Sequence, residues 1–138
     1  MHAGELSSFA SFHRIQNMAT RILITDRTRF TRELLAGILG RCGFDVVGEA
    51  KSGRECVDLF RSLKPDVVLV DFAMPEMDGV ATLKQIRAID ASAAVVMCAA
   101  VGKPRRIRDA IQAGAKDIVS KPYRASEVNR AVLAAVGG

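Results

Sequence analysis

The sequence predicts a doubly wound α/β domain, with a five-stranded parallel sheet covered by helices on both faces. Short apolar runs alternate five times with segments of helical periodicity, which is typical of βα units joined by right-handed crossovers. The composition suits an aliphatic core, because 49% of the residues are hydrophobic and only 5% are aromatic. The length of 138 residues fits one domain.

Five segments have the character of β-strands. The runs at 21–25 and 66–70 are short and rich in β-branched residues, as expected of parallel strands that are buried on both faces. Similar apolar runs occur at 44–48, 94–98 and 116–120. All five therefore fit one buried sheet.

Helical spacing fills the intervals between the strands. In 28–41 five apolar residues recur every three or four positions, and the pattern ends before Gly43. These residues are Phe30, Leu34, Leu35, Ile38 and Leu39. The remaining helices are expected at 54–63, 80–89, 104–113 and 125–136. In the fourth helix, Ile107, Ala110 and Ile111 are expected to face inward.

The first 19 residues differ from the rest of the chain. They are polar and Ser-rich, without a continuous apolar stretch behind a basic start, so they are not typical of a secretion signal. We assign 1–19 to a tail, disordered or not native to the protein, and 20–138 to the folded domain. No apolar run reaches the roughly 18 residues of a membrane helix. The three cysteines form no paired motif, and we expect a cytoplasmic protein with free thiols.

The net charge of +5 is concentrated in one place. Lys103, Arg105, Arg106 and Arg108 lie within six residues at the start of the predicted fourth helix. A surface that binds DNA would show a wider spread of Lys and Arg, so no DNA partner is expected. The local cluster instead indicates one anion-binding or docking site.

Two acidic residues fall where ligands gather in such sheets. For the flavodoxin-like strand order 2-1-3-4-5, this place is at the carboxyl ends of the first and third strands. Asp26 follows the first strand and Asp71 follows the third. Taken singly, either Asp is explained as a helix cap. Their joint position favours a functional cleft.

Three motifs carry a resemblance to a known family. They are ILITD at 22–26, VLVDFAMPEMDG at 68–79 and AGAKDIVSKPY at 113–123. Together they resemble the receiver domains of bacterial response regulators, and among these the short, stand-alone CheY-like type. The motifs stand in the right order and spacing across about residues 20–136.

The resemblance implies a role for each matching residue. Asp71 is the phosphoacceptor, a carboxylate nucleophile at a strand end. Asp26, Asp71 and the carbonyl of Ala73 match the ligand positions for Mg²⁺, and Lys121 matches the cation that meets the phosphoryl oxygens. The bond from Lys121 into Pro122 is expected to be cis.

Three positions depart from the family pattern. Arg27 stands where a second metal-binding acid is usual, so Mg²⁺ binding should be weak or absent. Its guanidinium either bridges Asp26 and Asp71 in place of the metal or points into solvent. Ala99 replaces a Ser or Thr that bonds the phosphoryl group, and Ile118 replaces a switch aromatic. Our hypothesis is that phosphorylation no longer drives the output.

The basic cluster offers a different input. Arg106-x-x-Asp109 resembles the R-x-x-D pattern of proteins that bind cyclic di-GMP, and the chain resembles arginine-rich CheY-like effectors of that ligand. Arg105, Arg106, Arg108 and Asp109 are the candidate ligand-binding residues, because arginine binds phosphate and guanine and aspartate accepts from guanine. The alternative is a surface salt bridge between Arg106 and Asp109.

The sequence thus supports two main functional hypotheses. The first is a signalling adaptor, not an enzyme, that binds cyclic di-GMP and docks a partner such as the flagellar motor switch. Docking would use the face formed by the fourth helix, fifth strand and fifth helix. The alternative is a phosphorylation-controlled receiver that uses Asp71 and a histidine kinase. In a third interpretation the basic patch simply docks an acidic protein.

Overall fold

A computed structural model describes residues 20–100 and 104–137, in which five strands alternate with five helices. The tail at 1–19 and Lys103 lie outside the described residues. In chain order the elements are β1 Arg21–Thr25, α1 Arg29–Arg41, β2 Asp45–Ala50, α2 Gly53–Leu63, β3 Val67–Asp71, α3 Gly79–Ile89, β4 Ala94–Ala99, α4 Pro104–Gln112, β5 Asp117–Ser120 and α5 Ala125–Gly137. None of the helices within the described ranges is long and apolar enough to cross a membrane.

The sheet confirms the predicted topology. Its strand order is β2-β1-β3-β4-β5, and every neighbouring pair is parallel. The order reverses between β1 and β3, whose register pairs Thr25 with Val70. The residues that follow these two pairing positions therefore lie side by side at one edge of the sheet.

Two apolar cores lie on opposite faces of the sheet, which makes the fold doubly wound. Alternate residues of one strand point to opposite faces, so Val68 and Val70 of β3 join one core and Val67 and Leu69 join the other. The first core receives α2, α3 and α4, and the second receives α1 and α5.

The prediction that Ile111 faces inward was wrong, and two of the apolar residues whose spacing predicted α1 are exposed. Phe30 and Leu34 of α1 are 73% and 46% exposed, and Ile111 of α4 is 58% exposed. At 3.6 residues per turn, Phe30 lies roughly 130° around the helix from the centre of the buried stripe, and Ile111 lies about 100° from the buried Ala110. A spacing of three or four residues includes side chains on two adjacent faces of a helix, only one of which is buried here.

The connection from β3 to α3 fixes the helix beside the functional edge. Asp78 is the N-cap of α3, and its Oδ1 accepts a hydrogen bond from the Ala81 N–H at 2.8 Å. The Gly79 N–H donates to the Phe72 carbonyl oxygen at 2.9 Å. The first turn of α3 is therefore held by its own N-cap and by a backbone hydrogen bond to Phe72, the residue that follows Asp71.

Candidate functional site

Two buried aspartates, Asp26 and Asp71, and the half-buried Lys121 form one cluster at the carboxyl edge of the sheet. Lys121 Nζ lies 3.0 Å from Asp26 Oδ2 and 3.1 Å from Asp71 Oδ2. The two aspartates are only 2% and 7% exposed. The bond between Lys121 and Pro122 is cis, as predicted. The three residues that the family motifs singled out are thus in direct contact.

Asp26 is held more firmly than Asp71. Its Oδ1 accepts from the Thr28 N–H at 2.8 Å, and its backbone N–H donates to the Ala50 carbonyl at 3.0 Å. Asp71 Oδ1 has a longer contact, 3.4 Å, with the Ala73 N–H. The oxygen of Asp71 that does not face Lys121 is therefore the more available of the site's acceptors.

Burial and the shared ion pair shift the pKa values of Asp71 and Lys121. Burial raises the pKa of Asp71 above its ordinary 3.8, and the Lys121 ammonium offsets part of that rise. Burial alone would lower the pKa of Lys121, but its hydrogen bond to Asp26 and the charge of Asp71 outweigh this and raise it above 10.5. Lys121 is therefore a fixed cation at neutral pH.

Arg27 does not bridge the aspartates, so that form of the prediction was wrong. Its side chain is exposed and has no hydrogen bond or ion pair with any residue in the described ranges. Arg27 lies in a bend just after β1, where Asp26 is buried and Arg27 is exposed. Lys121 supplies the bridging cation instead.

The metal-binding prediction concerns the same two carboxylates. Asp26 and Asp71 offer the hard oxygen ligands that Mg²⁺ prefers, but they already share the Lys121 ammonium. No group of three or more His, Cys, Asp or Glu residues suited to a metal occurs in the described part of the chain. The residues fit a Mg²⁺ ion that competes with Lys121, and weak Mg²⁺ binding stays a prediction.

A cavity of about 330 Å³ opens beside Asp71. We call it the Asp71 cavity; it is lined by Asp71, Phe72, Ala73, Met74, Asp78, Ala99, Ala100, Arg106 and Ile107. Ala99 is buried at its wall and has no hydroxyl to donate. The departure predicted at this position therefore leaves an apolar wall where the family pattern has a donor.

Arg106 reaches this cavity, which sequence reasoning missed. Its Nη2 donates to the Phe72 carbonyl oxygen at 3.4 Å and lies 3.6 Å from Asp78 Oδ2. The guanidinium also lies 5.9 Å from the centre of the Phe72 ring. The pattern R-x-x-D directed attention to Asp109, whereas the signal for this contact was the position of Arg106 in the first turn of α4.

A second depression runs between α3 and α4 on the outer surface. We call it the α3–α4 groove; its two adjoining parts, about 440 and 290 Å³, are lined by Asp78, Val80, Ala81, Lys84, Arg105, Arg106, Asp109, Gln112 and Ala113. Arg105, Arg106 and Asp109 of the predicted set thus share one groove. Arg108 is exposed and is not part of its lining.

The alternative of an Arg106–Asp109 salt bridge was wrong. Among the described residues Arg106 pairs with Asp78, and Asp109 has no ion-pair partner. Arg106 pairs with Asp78 because its side chain extends toward the edge of the sheet. Asp109 lies one turn further along α4, away from that edge. The Asp109 carboxylate is therefore available to a ligand in the groove.

Two of the three cysteines, Cys56 and Cys98, are buried in the core. Cys42, Cys56 and Cys98 are free, as predicted. Burial raises the pKa of Cys56 and of Cys98 to about 12, so both thiols stay protonated and unreactive.

Ile118, at the position of the switch aromatic, packs against the core formed with α2, α3 and α4. The centre of the Tyr123 ring, which the sequence analysis did not single out, lies 6.0 Å from the Lys121 ammonium.

Comparison with known proteins agrees with this geometry. Residues 22–133 match the response regulator receiver domain family. The chain is 47% identical over 115 residues to the chemotaxis protein CheY of Bacillus subtilis, covering 83% of this chain and 96% of that one. It is 43% identical to CheY of Thermotoga maritima with the same two coverages.

A solved structure shares the fold and about a third of the aligned residues. The CheX–CheY–BeF₃–Mg²⁺ complex of Borrelia burgdorferi matches with a TM-score of 0.78 and 33% identity, over 82% of this chain and 86% of that one. That complex contains BeF₃, a magnesium ion and the protein CheX beside CheY. The chain therefore belongs to the response regulator receiver family, the signalling domains of two-component systems, in its CheY-like form.

Proposed function

We propose that this receiver is a cytoplasmic signalling adaptor, rather than an enzyme, that binds cyclic di-GMP in the α3–α4 groove. The observation that carries the proposal is the meeting of Arg105, Arg106 and Asp109 in that groove, with Lys84 on its opposite wall. The three cations match the two phosphates of a cyclic dinucleotide. Asp109 matches the N1 and N2 hydrogens of guanine, since a carboxylate only accepts hydrogen bonds.

The usual output relay of the family lacks its parts here. Ala99 offers no hydroxyl and Ile118 offers no aromatic ring to change rotamer. Lys121 already pairs with both Asp26 and Asp71. These features favour an input that acts on α4 directly.

The proposed output is docking of a protein through the face of α4, β5 and α5. This face borders the groove through α4, where Ile111 is an exposed apolar side chain. The chemotaxis roles of the Bacillus and Thermotoga relatives support a motility partner, such as the flagellar motor switch. A ligand that draws on the arginines would change the charge that α4 presents to it.

Titration calorimetry of the wild-type protein with cyclic di-GMP tests this proposal. We expect saturable binding with a Kd of about 1 μM, and a loss of about tenfold or more for Arg106→Ala and for Asp109→Ala. Arg108→Ala, which removes a cation outside the groove, should bind as the wild type does. No heat from the wild type would contradict the proposal and favour docking of an acidic protein on the basic patch.

The choice of nucleotide sharpens that test. Cyclic di-AMP carries the same phosphates, but its bases lack the N1 and N2 hydrogens of guanine. We expect the wild type to prefer cyclic di-GMP and Asp109→Ala to lose that preference. Equal binding of both nucleotides by the wild type would remove Asp109 from guanine recognition.

A second candidate is a phosphorylation-controlled receiver that uses a histidine kinase and Asp71. It is favoured by the Asp71 cavity, which gives a donor access to the carboxylate. Incubation with acetyl phosphate and Mg²⁺ should then add one phosphoryl group to the intact protein, and Asp71→Asn should remain unlabelled. Mass spectrometry reads the result directly. An unlabelled wild type would contradict this candidate and leave nucleotide binding untouched.

A further inference from the structure

Arg106 is the side chain common to the two depressions, since it lines both the Asp71 cavity and the α3–α4 groove. Its contacts with the Phe72 carbonyl, 3.4 Å, and with Asp78 Oδ2, 3.6 Å, are both long for a guanidinium. The Arg106–Asp78 pair is also partly exposed, and exposed pairs contribute little. Arg106 is therefore weakly held in its present position.

Removing Arg106 from Asp78 leaves the local fold intact. Asp78 caps α3 through Oδ1, at 2.8 Å from the Ala81 N–H, whereas Arg106 contacts Oδ2. The cap therefore does not depend on the arginine. Among the described residues, the polar and ring contacts that rotation of the Arg106 side chain breaks are those with Asp78, the Phe72 carbonyl and the face of the Phe72 ring.

The Asp71 cavity has a shortage of groups that could bind an anion. A phosphoryl group on Asp71 brings a charge of about −2, and Lys121 already divides its ammonium between Asp71 and Asp26. Ala99 contributes only a methyl group. Among the described residues that line the cavity, Arg106 is the sole cation.

We propose that Arg106 turns into the cavity and binds the phosphoryl oxygens of phosphorylated Asp71, in place of the hydroxyl that Ala99 lacks. The role presupposes the second function proposed above, in which Asp71 accepts a phosphoryl group. An acyl phosphate such as acetyl phosphate supplies it: a bond forms from phosphorus to Asp71 Oδ1, the bond to the acetate oxygen breaks, and acetate leaves. Arg106 then breaks its contact with Asp78. Phosphorylation of Asp71 thereby changes the contacts of the first turn of α4, without a hydroxyl at Ala99 or an aromatic ring at Ile118.

Beryllofluoride with excess Mg²⁺ is the probe for this role, and ¹⁹F NMR of the full chain measures its bound fraction. We expect Arg106→Gln to weaken binding about tenfold or more, because a charge-assisted pair is lost. Arg108→Gln is the matched control, since it removes a cation from the same helix outside the cavity. It should bind as the wild type does.

A rescue variant separates a direct contact from a general disturbance of α4. Ala99→Ser restores the hydroxyl, so the double variant with Arg106→Gln should recover a large part of the lost affinity. Equal binding by wild type and Arg106→Gln, or an Arg106→Gln loss that Ala99→Ser leaves unchanged, would overturn the role of Arg106 alone. No binding by the wild type, or undiminished binding by Asp71→Asn, would overturn both this role and phosphorylation of Asp71.

Discussion

Replacing Lys121 by Met is expected to lower the free energy of unfolding by about 3 kcal/mol at pH 7. The ammonium lies within about 3 Å of both Asp26 and Asp71. Its removal leaves two buried carboxylates beside each other without a cation, and breaking a buried pair in this way is far more costly than losing a surface pair. Methionine keeps most of the side-chain volume, so the change reports on charge.

The loss should depend on pH in a defined direction. Burial raises the folded-state pKa of Asp71, so the folded protein binds that proton more tightly than the unfolded chain and its stability falls as pH rises through the interval above 3.8. Without Lys121 this pKa rises further. The difference between variant and wild type should therefore be smaller at about pH 4 than at pH 7.

At high pH the wild type should lose the stabilisation that the Lys121 ammonium provides, which the Lys121→Met variant lacks at every pH. The folded-state pKa of Lys121 is raised above 10.5. Its contribution is therefore complete below 10.5 and disappears as the pH rises through the raised value. The variant has no such group, so its stability should not show this fall.

Denaturant unfolding of four proteins provides the measurement. The wild type, Lys121→Met, Asp71→Asn and the double variant form a cycle. We expect the Lys121→Met cost to be at least about 1 kcal/mol smaller in the Asp71→Asn background, because only one carboxylate then needs the ammonium. An identical cost in both backgrounds would mean that Lys121 and Asp71 are not coupled.

Replacing Gly79 by Ala is expected to cost about 3 kcal/mol of unfolding free energy. A Cβ atom at Gly79 would collide with the Asp71 carbonyl oxygen and stand 2.7 Å from Phe72 Cα. Both are backbone atoms at the end of β3, so neither can rotate away. The absence of a side chain at Gly79 is what allows α3 to begin directly against the end of β3.

Gly40→Ala is the matched control for this substitution. Gly40 lies in α1, and a Cβ atom there meets no atom within 4 Å. In an open helical position alanine is favoured over glycine by about 0.5–1 kcal/mol. Urea unfolding should therefore show opposite signs for the two variants, and a Gly79→Ala protein as stable as the wild type would refute the close approach.

The sequence was sufficient for the topology because hydrophobic periodicity and strand order impose strong constraints. All five strands and five helices occur where the alternation predicts them, within two residues at their ends. Side-chain direction on the helices was less determined. Phe30, Leu34 and Ile111 fit the spacing but flank the buried stripe, because spacing by three and four residues covers more than one face.

The sequence predicted the site residues that lie at strand ends, because the backbone places them. It predicted less well the contacts of long side chains that have several possible partners. Asp26 and Lys121 follow β1 and β5 directly, and Asp71 is the last residue of β3, so the sheet brings their backbones together. Arg27 and Arg106 are different, because a guanidinium on a long side chain has several partners within reach. Arg27 points outward, and Arg106 pairs with Asp78 rather than with Asp109. These choices depend on tertiary geometry that residue spacing does not contain.

The most direct test of the central claim is a ¹H–¹⁵N correlation titration of the full chain with cyclic di-GMP. If the α3–α4 groove is the ligand site, the amide signals of Lys84, Arg105 and Asp109 should shift with saturation, while those of α1 on the opposite face of the sheet stay unchanged. Shifts confined to elements away from α3 and α4, or no shifts at excess nucleotide, would contradict the claim.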